Sequence, residues 1–356
     1  MISDDFDGDI GDSEFIKSIF EHKCELTQNI NSSKDNYVLH IAPKGGRNNG
    51  NIAVAYSKGY IDIFKLSNEV IKNTDTLIVP ENIIDIDFSK ENKDLLFIAK
   101  MNGKIDVYDL RCNITVQQFS DTTSNTNNFR NLTCLALSPS STLISAGTEL
   151  YEGDAFILFW DSRKTTFLGG YWQSHKDDIT QVKFHSNDPN KLASGSTDGL
   201  INIYDISHSN EDEALIDTFN TESSVESIMW CKEKNKDHIC CATHTCEIQL
   251  WSTNTGNLTK SFSRKKLSLS IQRKSEAHCY VASVYRNFLD QVFILVGSNF
   301  EKDKCMRTLK VSGNELEPIY LLPKNEQIIR CSWNDAKGNL LITGGEKGIL
   351  NVWKIS

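Results

Sequence analysis

Between residues 169 and 206 the chain alternates apolar and polar positions in three short runs. Ile179, Val182 and Phe184 mark the first run, residues 192–196 the second and residues 200–204 the third. Turn formers separate them, Ser-Asn-Asp-Pro-Asn at 186–190 and Thr-Asp-Gly at 197–199. Branched and aromatic residues on a period of two, bounded by such turns, predict three antiparallel strands. The pattern recurs along the chain. A bulky residue followed by a polar one ends a run at Phe64-Lys65, Tyr108-Asp109, Trp160-Asp161, Tyr204-Asp205, Trp251-Ser252, Leu309-Lys310 and Trp353-Lys354, at intervals of 44 to 58 residues. Most of these positions keep a branched or aromatic residue one and three places earlier, as Ile63 and Ile61 or Ile203 and Ile201 do. A turn acid or amide recurs six places back at Asn102, Asp154 and Asp198. A second apolar run precedes each, from 52–55 in the first unit to 340–344 in the last, so the chain is all-β and built of seven units. The sixth is the weakest, with Leu309 in place of the aromatic.

Ser174-His175 stands before the first strand of the fourth unit and Tyr204-Asp205 after its third. With their spacing, these residues resemble a WD repeat, the β-transducin repeat, in which Gly-His and Trp-Asp hold the two places. The resemblance extends over about residues 18–356 and is most specific at 145–163, 174–185 and 194–206. It implies a seven-bladed β-propeller with an interaction role. It also implies a buried chain of polar side chains in which Asp198 bonds His175, His175 bonds Ser194, and Ser194 reaches the aromatic at Tyr204. Tyr204 has no indole N–H, so the last link departs from the family pattern. Burial in the stacked blades would oblige such groups to partner one another. The same three residue types could be read as a catalytic Ser/His/Asp set, but a triad needs its Ser Oγ exposed at a cleft, and the structural role is preferred.

The ends of the chain complete the ring. Ser356 falls just after the third strand of the last unit, which leaves that blade without an outer strand and with an open edge. Residues 18–27 are expected to supply it, after a short helical turn. Residues 1–14 carry Asp4, Asp5, Asp7, Asp9, Asp12 and Glu14 without a positive charge, and read as a disordered acidic leader ahead of one domain over 15–356. Asn-, Ser- and Thr-rich loops at 45–51 and 122–128 read as surface connections. Glu-Leu-Tyr-Glu-Gly-Asp at 149–154 enlarges a turn of the third unit. Arg264, Lys265, Lys266, Arg273 and Lys274 make 263–274 basic, and that segment is expected to be a solvated loop balancing an acidic protein rather than a localisation signal or a nucleic-acid patch.

Charge and composition narrow the function classes. Lys plus Arg number 38 against 47 Asp plus Glu, a formal net charge of −9, which argues against a phosphate-binding surface spread over the protein. The N-terminus has neither a basic region nor an apolar core, and no run of 18 apolar residues occurs, so a soluble chain of the cytoplasm or nucleus is expected, with no membrane partner. Ten cysteines without a CxxC pair suit a reducing compartment. His238, Cys240, Cys241, His244 and Cys246 cluster, but one straight strand spreads ligands too far apart for a tetrahedral metal site, and core packing is expected. No metal, cofactor or enzymatic activity is expected, because no P-loop, GxGxxG, HExxH or GxSxG pattern is present.

The resemblance therefore points to a scaffold for other proteins, a monomer within a larger assembly. A second reading rests on Arg111 and Arg163, each two residues after a Trp-Asp-like pair. WD-repeat substrate receptors of cullin-4 ubiquitin ligases carry an Arg so placed, which makes these two candidate contacts for a cullin-4 adaptor.

Overall fold

In the computed structural model, which describes all residues except 1–6, 21, 33–35, 45–49, 68, 124–128, 301–304, 336–338 and 356, the apolar runs become the strands of seven four-stranded blades. A short helix, α1 (Ser13–Ile19), and a strand, β1 (His22–Asn31), precede the first blade. Blade one is β2 (Val38–Lys44), β3 (Gly50–Tyr56), β4 (Tyr60–Ser67) and β5 (Val70–Ile78). Blade two is β6 (Ile83–Phe88), β7 (Leu95–Lys100), β8 (Lys104–Asp109) and β9 (Ile114–Ser120). Blade three is β10 (Leu132–Leu137), β11 (Leu143–Thr148), β12 (Ala155–Asp161) and β13 (Thr166–His175). Blade four is β14 (Ile179–Phe184), β15 (Lys191–Ser196), β16 (Leu200–Asp205) and, after helix α2 (Glu211–Ala214), β17 (Leu215–Asn220). Blade five is β18 (Val225–Glu233), β19 (Lys236–Thr243), β20 (Ile248–Ser252) and β21 (Leu258–Phe262). Helix α3 (Arg264–Ser270) leads into blade six, β22 (Cys279–Arg286), β23 (Val292–Ser298), β24 (Met306–Ser312) and β25 (Glu315–Leu321). The last three strands are β26 (Ile329–Asn334), β27 (Leu340–Gly345) and β28 (Ile349–Ile355).

The repeat seen in the sequence is a repeat of backbone irregularity. In every blade the pairing of third and outer strands slips beside the bulky position, at Ile63/Phe64 in blade one and Ile203/Tyr204 in blade four, and even at Thr308/Leu309, where the aromatic is missing. A bulge adds twist to the strand that carries it, and an outer strand must twist strongly away from the inner one. Six inner strands carry a second slip directly after their first residue, as at Val38/His40 and Ile179/Gln181. Blade six differs, with its slip after the third residue, between Val281 and Ser283.

Blades pack face to face through apolar cores. Ala193, Ile201 and Ile203 of blade four meet Val225, Ile228 and Trp230 of blade five. The approach is closest at the middle strand, where a Cβ on Gly195 would lie 2.7 Å from Val225 Cγ1. The seam between last and first blades is sealed the same way, by Ile342, Leu350 and Val352 against Val38, Val54 and Phe64.

β1 is the outer strand of blade seven, antiparallel to β28 from Cys24 opposite Ile355 to Asn31 opposite Ile349. It starts later than the expected 18–27. Asp12 caps α1 by accepting from the Glu14 and Phe15 amides at 3.0 and 2.8 Å, and Ile16 is buried, so 18 and 19 finish a helix instead of starting a strand. His22 and Lys23 also pair in parallel with Tyr320 and Leu321 of β25, which joins blades six and seven in one eight-stranded sheet.

Two expectations about charged segments need correction. The acidic leader is not disordered from residue 7 onward, because Asp7 is buried against Arg273 and Asp9 pairs with Arg273 and Arg307; residues 1–6 lie outside the described residues. The basic segment 263–274 is not a solvated loop either. Ser263 caps α3, and Arg264 donates to the carbonyls of Cys279 and Ala277 at 2.9 and 2.7 Å.

Candidate functional site

The polar chain of blade four is built by three local devices. β13 ends on His175, the turn before β16 carries Asp198, and β15 places Ser194 between them. His175 Nδ1 lies 3.0 Å from Asp198 Oδ2, and its Nε2 lies 2.7 Å from Ser194 Oγ. With Nδ1 protonated, His175 donates to the carboxylate and accepts from the Ser194 hydroxyl, the tautomer this network selects. Asp198 also accepts from the Lys176 and Leu200 amides, each at 2.9 Å. Burial raises the Asp198 carboxyl, but the His175 ring and the two amides pull it further the other way, so it titrates below the ordinary carboxylate range.

The Tyr204 hydroxyl shares hydrogen bonds with Ser174, Asn202 and Ser194, and the last of these joins it to the network. The Asn202 amide donates to the Tyr204 hydroxyl at 3.1 Å and to the Ser174 carbonyl at 2.7 Å, and the Thr218 hydroxyl donates to the Asn202 carbonyl at 2.8 Å. Burial pushes the Tyr204 phenol up to about 12. Ser194 is 0% exposed and His175 1%. A hydroxyl sealed this way reaches no substrate, so the arrangement ties turn to strand and does no nucleophilic chemistry.

The aromatic position finds a different partner in each blade. Trp353 Nε1 donates to Thr343 Oγ1 at 2.9 Å, Trp251 Nε1 to Gln249 Oε1 at 3.0 Å, and Trp160 Nε1 to the Ser120 carbonyl at 3.0 Å. In blade six the residue two places before Leu309 is Arg307, where blade four has Asn202 and blade five Gln249. Asn202, Gln249 and Arg307 all donate back to the segment before their blade, to the carbonyls of Ser174, Thr221 and Ile271.

Arg111 and Arg163 occupy matching turns, between β8 and β9 and between β12 and β13. Arg111 forks onto Asp109 with Nε to Oδ1 at 3.0 Å and Nη2 to Oδ2 at 2.6 Å. Arg163 forks onto Asp161 at 2.9 and 2.8 Å. The guanidinium bonds hold both carboxyls down at about 2. Both arginine side chains are nevertheless about two-thirds exposed, at 64% and 66%, so they stand ordered at the surface. The Cys and His cluster does not converge: on β19 Cys240 faces blade six and Cys241 blade four, in the turn beyond it His244 is exposed and Cys246 joins the core toward blade six, and burial pushes the Cys241 thiol up to about 12.

Residues 60–282 match the family model described as Nucleolar protein 10-like, N-terminal domain, a β-propeller. The chain belongs to this family of WD-repeat propellers. It is similar to a WD repeat-containing protein of Saccharomyces cerevisiae, 28% identical over 345 residues, which spans 92% of this chain and 81% of the yeast one. It is also similar to the WD repeat-containing protein 89 homolog of Dictyostelium discoideum, 25% identical over 307 residues covering 85% and 79% of the two chains. Among solved structures, a chain of the "Crystal Structure of Mitotic Checkpoint Complex" superposes with a TM-score of 0.68 over 92% of this chain and 91% of that one; at 16% identity the likeness is one of fold.

Two features of the WD-repeat propeller lay outside the sequence reading. Arg130, paired with Asp121, lies 5.4, 4.8 and 5.3 Å from the ring centroids of Tyr151, Phe156 and Trp172, which anchors the enlarged turn at 149–154. The second is the seat of Asp7 and Asp9 on blade six. The signal for it was Arg307, a charged residue two places before the bulky position, where blades four and five carry Asn202 and Gln249.

Proposed function

We propose that this WD-repeat propeller is a non-catalytic platform for protein contacts, working as a monomer inside a larger complex of the cytoplasm or nucleus. One observation carries the reading: the polar network is sealed inside the blades, while ordered charged and apolar side chains stand at the turns. Phe288 and Leu289, between β22 and β23, are 64% and 62% exposed, and side chains of that kind anchor partners. The family's general role as interaction scaffolds supports it. Affinity purification with mass spectrometry tests it, comparing wild type with Phe288→Ser plus Leu289→Ser. A partner set that depends on this pair supports the reading, and a chain that recovers no stable partner refutes it.

The second reading, a substrate receptor of a cullin-4 ligase, is favoured by the matched forks of Arg111 and Arg163. Each is pre-oriented by its aspartate, which lowers the entropy lost when a partner docks. Arg111→Ala with Arg163→Ala should abolish recovery of the cullin-4 adaptor while the fold is kept. If wild type recovers none of that adaptor with the proteasome and deneddylation blocked, the receptor reading fails.

A further inference from the structure

Blade six holds a carboxylate socket lined by Arg273, Ser298 and Arg307. The Arg273 backbone is fixed by its amide donating to the Ser268 carbonyl at 2.9 Å. The Arg307 side chain donates to the Ile271 carbonyl and lies under the Phe20 ring, 5.4 Å from its centroid. Both arginines are buried, at 4% and 3% exposure. Into this socket the chain inserts Asp7. Asp7 Oδ2 accepts from Arg273 Nε at 2.9 Å and from the Ser298 hydroxyl at 2.6 Å, and Oδ1 accepts from the Ser275 amide at 3.0 Å. Asp9 Oδ1 lies 3.3 Å from Arg273 Nη1 and 2.7 Å from Arg307 Nη2.

The backbone enters as a bound peptide does. The Ile10 amide donates to the Gln272 carbonyl at 2.9 Å and the Lys274 amide to the Gly8 carbonyl at 3.1 Å, a one-bridge antiparallel pairing of Asp9 with Arg273. Strand-like pairing with side chains seated in pockets is the mode by which extended peptides dock on sheet edges. From residue 7 to residue 12 the segment reads Asp-Gly-Asp-Ile-Gly-Asp, and Ile10 is only half-buried, so polar bonds rather than apolar packing hold it.

We propose that the Arg273–Arg307 socket is a recognition site for an acidic Asp-x-Asp segment, and that residues 7–9 are its exchangeable ligand, bound in cis. The interaction goes beyond the platform reading, because it assigns a defined ligand chemistry to one blade whether or not the turns recruit partners.

The test uses the full chain carrying Asp7→Asn and Asp9→Asn, which weakens the cis ligand and keeps Arg273, Ser298 and Arg307. A fluorescein-labelled peptide of residues 7–14 is titrated and followed by anisotropy. The double variant is expected to bind at least about tenfold tighter than wild type, whose socket is filled, and to lose that binding when Arg273→Ala is added. Equal affinity for variant and wild type, or no binding by the variant at millimolar peptide, overturns the proposal. Hydrogen exchange on wild type keeps the test independent of the variant's folding. The Ile10, Lys274 and Ser275 amides are expected to exchange at least about fivefold faster in 0.5 M than in 0.05 M NaCl, while blade-four strand amides do not change. Salt-independent rates at those three amides overturn it equally.

Discussion

Blade four and blade six face the same difficulty, a polar cluster taken out of water where a blade meets the segment before it, and they resolve it from opposite distances in sequence. In blade four every group comes from the repeat itself, with His175 and Asp198 23 positions apart. In blade six Arg273 and Arg307 meet the carboxylates of Asp7 and Asp9, from 266 and 298 positions away. A local network forms whenever its blade forms. A distant one ties residues 7–9 to the penultimate blade while β1 completes the last, so the N-terminal segment joins blades six and seven. Unpaired buried charge costs more than an unpaired buried dipole, which makes blade six the more sensitive of the two.

The comparison breaks most completely if the N-terminal segment is removed. Deletion of residues 1–31 strips β1 from β28, opens two strand edges and exposes the core that Cys24 shares with Trp353 and Ile355. The expected outcome is aggregation, seen as loss of the monomer peak on size exclusion. A monodisperse truncated protein would mean that the ring is closed without β1.

Next in size is Arg273→Ala, which leaves Asp7 a buried carboxylate without its main partner. Breaking a buried ion pair from one side costs about 3–5 kcal/mol, read from urea unfolding. In blade four, Asp198→Ala leaves His175 Nδ1 without its acceptor while the His175–Ser194 bond remains, and is expected to cost about 1–3 kcal/mol. If the two midpoints coincide, the distinction between stranding a buried charge and stranding a neutral polar group is wrong.

Acid sharpens the same contrast. Asp7 and Asp198 both titrate below 3.8 in the folded chain. Burial opposes the shift at each, and it is outweighed by Arg273, Ser298 and Ser275 at Asp7 and by His175 and the amides at Asp198. A depressed folded value means that the unfolded chain takes up the proton first, so the stability is present above 3.8 and is lost as pH falls through the folded values. Asp7→Asn and Asp198→Asn should each flatten the loss of stability below pH 4 in urea titrations. A slope as steep as wild type in either variant would remove that aspartate from the account.

Much of the ring was legible because its signals are local. The bulky position that recurs from Phe64 to Trp353 coincides with a bulge in each blade, and bulge, alternation and turn all lie within one repeat. Asp198, His175 and Ser194 could be picked out because the resemblance to the repeat family implies their contact, and all three lie within one unit. The Ser194–Tyr204 link was expected as well, but the added partner Asn202, two residues away on the same strand, carries no repeat signature. The leader was misread on composition: six acids without a base look like a solvated tail, and nothing near them in sequence says that two buried arginines wait almost 300 residues on. The pairing that did leave a trace was at Arg307, a charged residue where blades four and five carry amides.

The smallest effect is expected where the geometry looks most ordered. Arg111 and Arg163 each make a two-pronged contact with a carboxylate held at about 2, which on distance alone resembles the buried pairs of blade six. Water decides otherwise. Both guanidiniums are about two-thirds exposed, so solvent screens the attraction and rehydrates whichever partner is left, and exposed pairs contribute little. Asp109 and Asp161 keep a second bond, from the backbone amide of the arginine residue itself at 2.9 Å in each turn, which survives truncation of the side chain. The double change Arg111→Ala and Arg163→Ala should therefore leave the urea midpoint indistinguishable from wild type. A clear drop would show that the forks stabilise the turns, and any partner lost by the variant could then be lost through the fold and not through the contact.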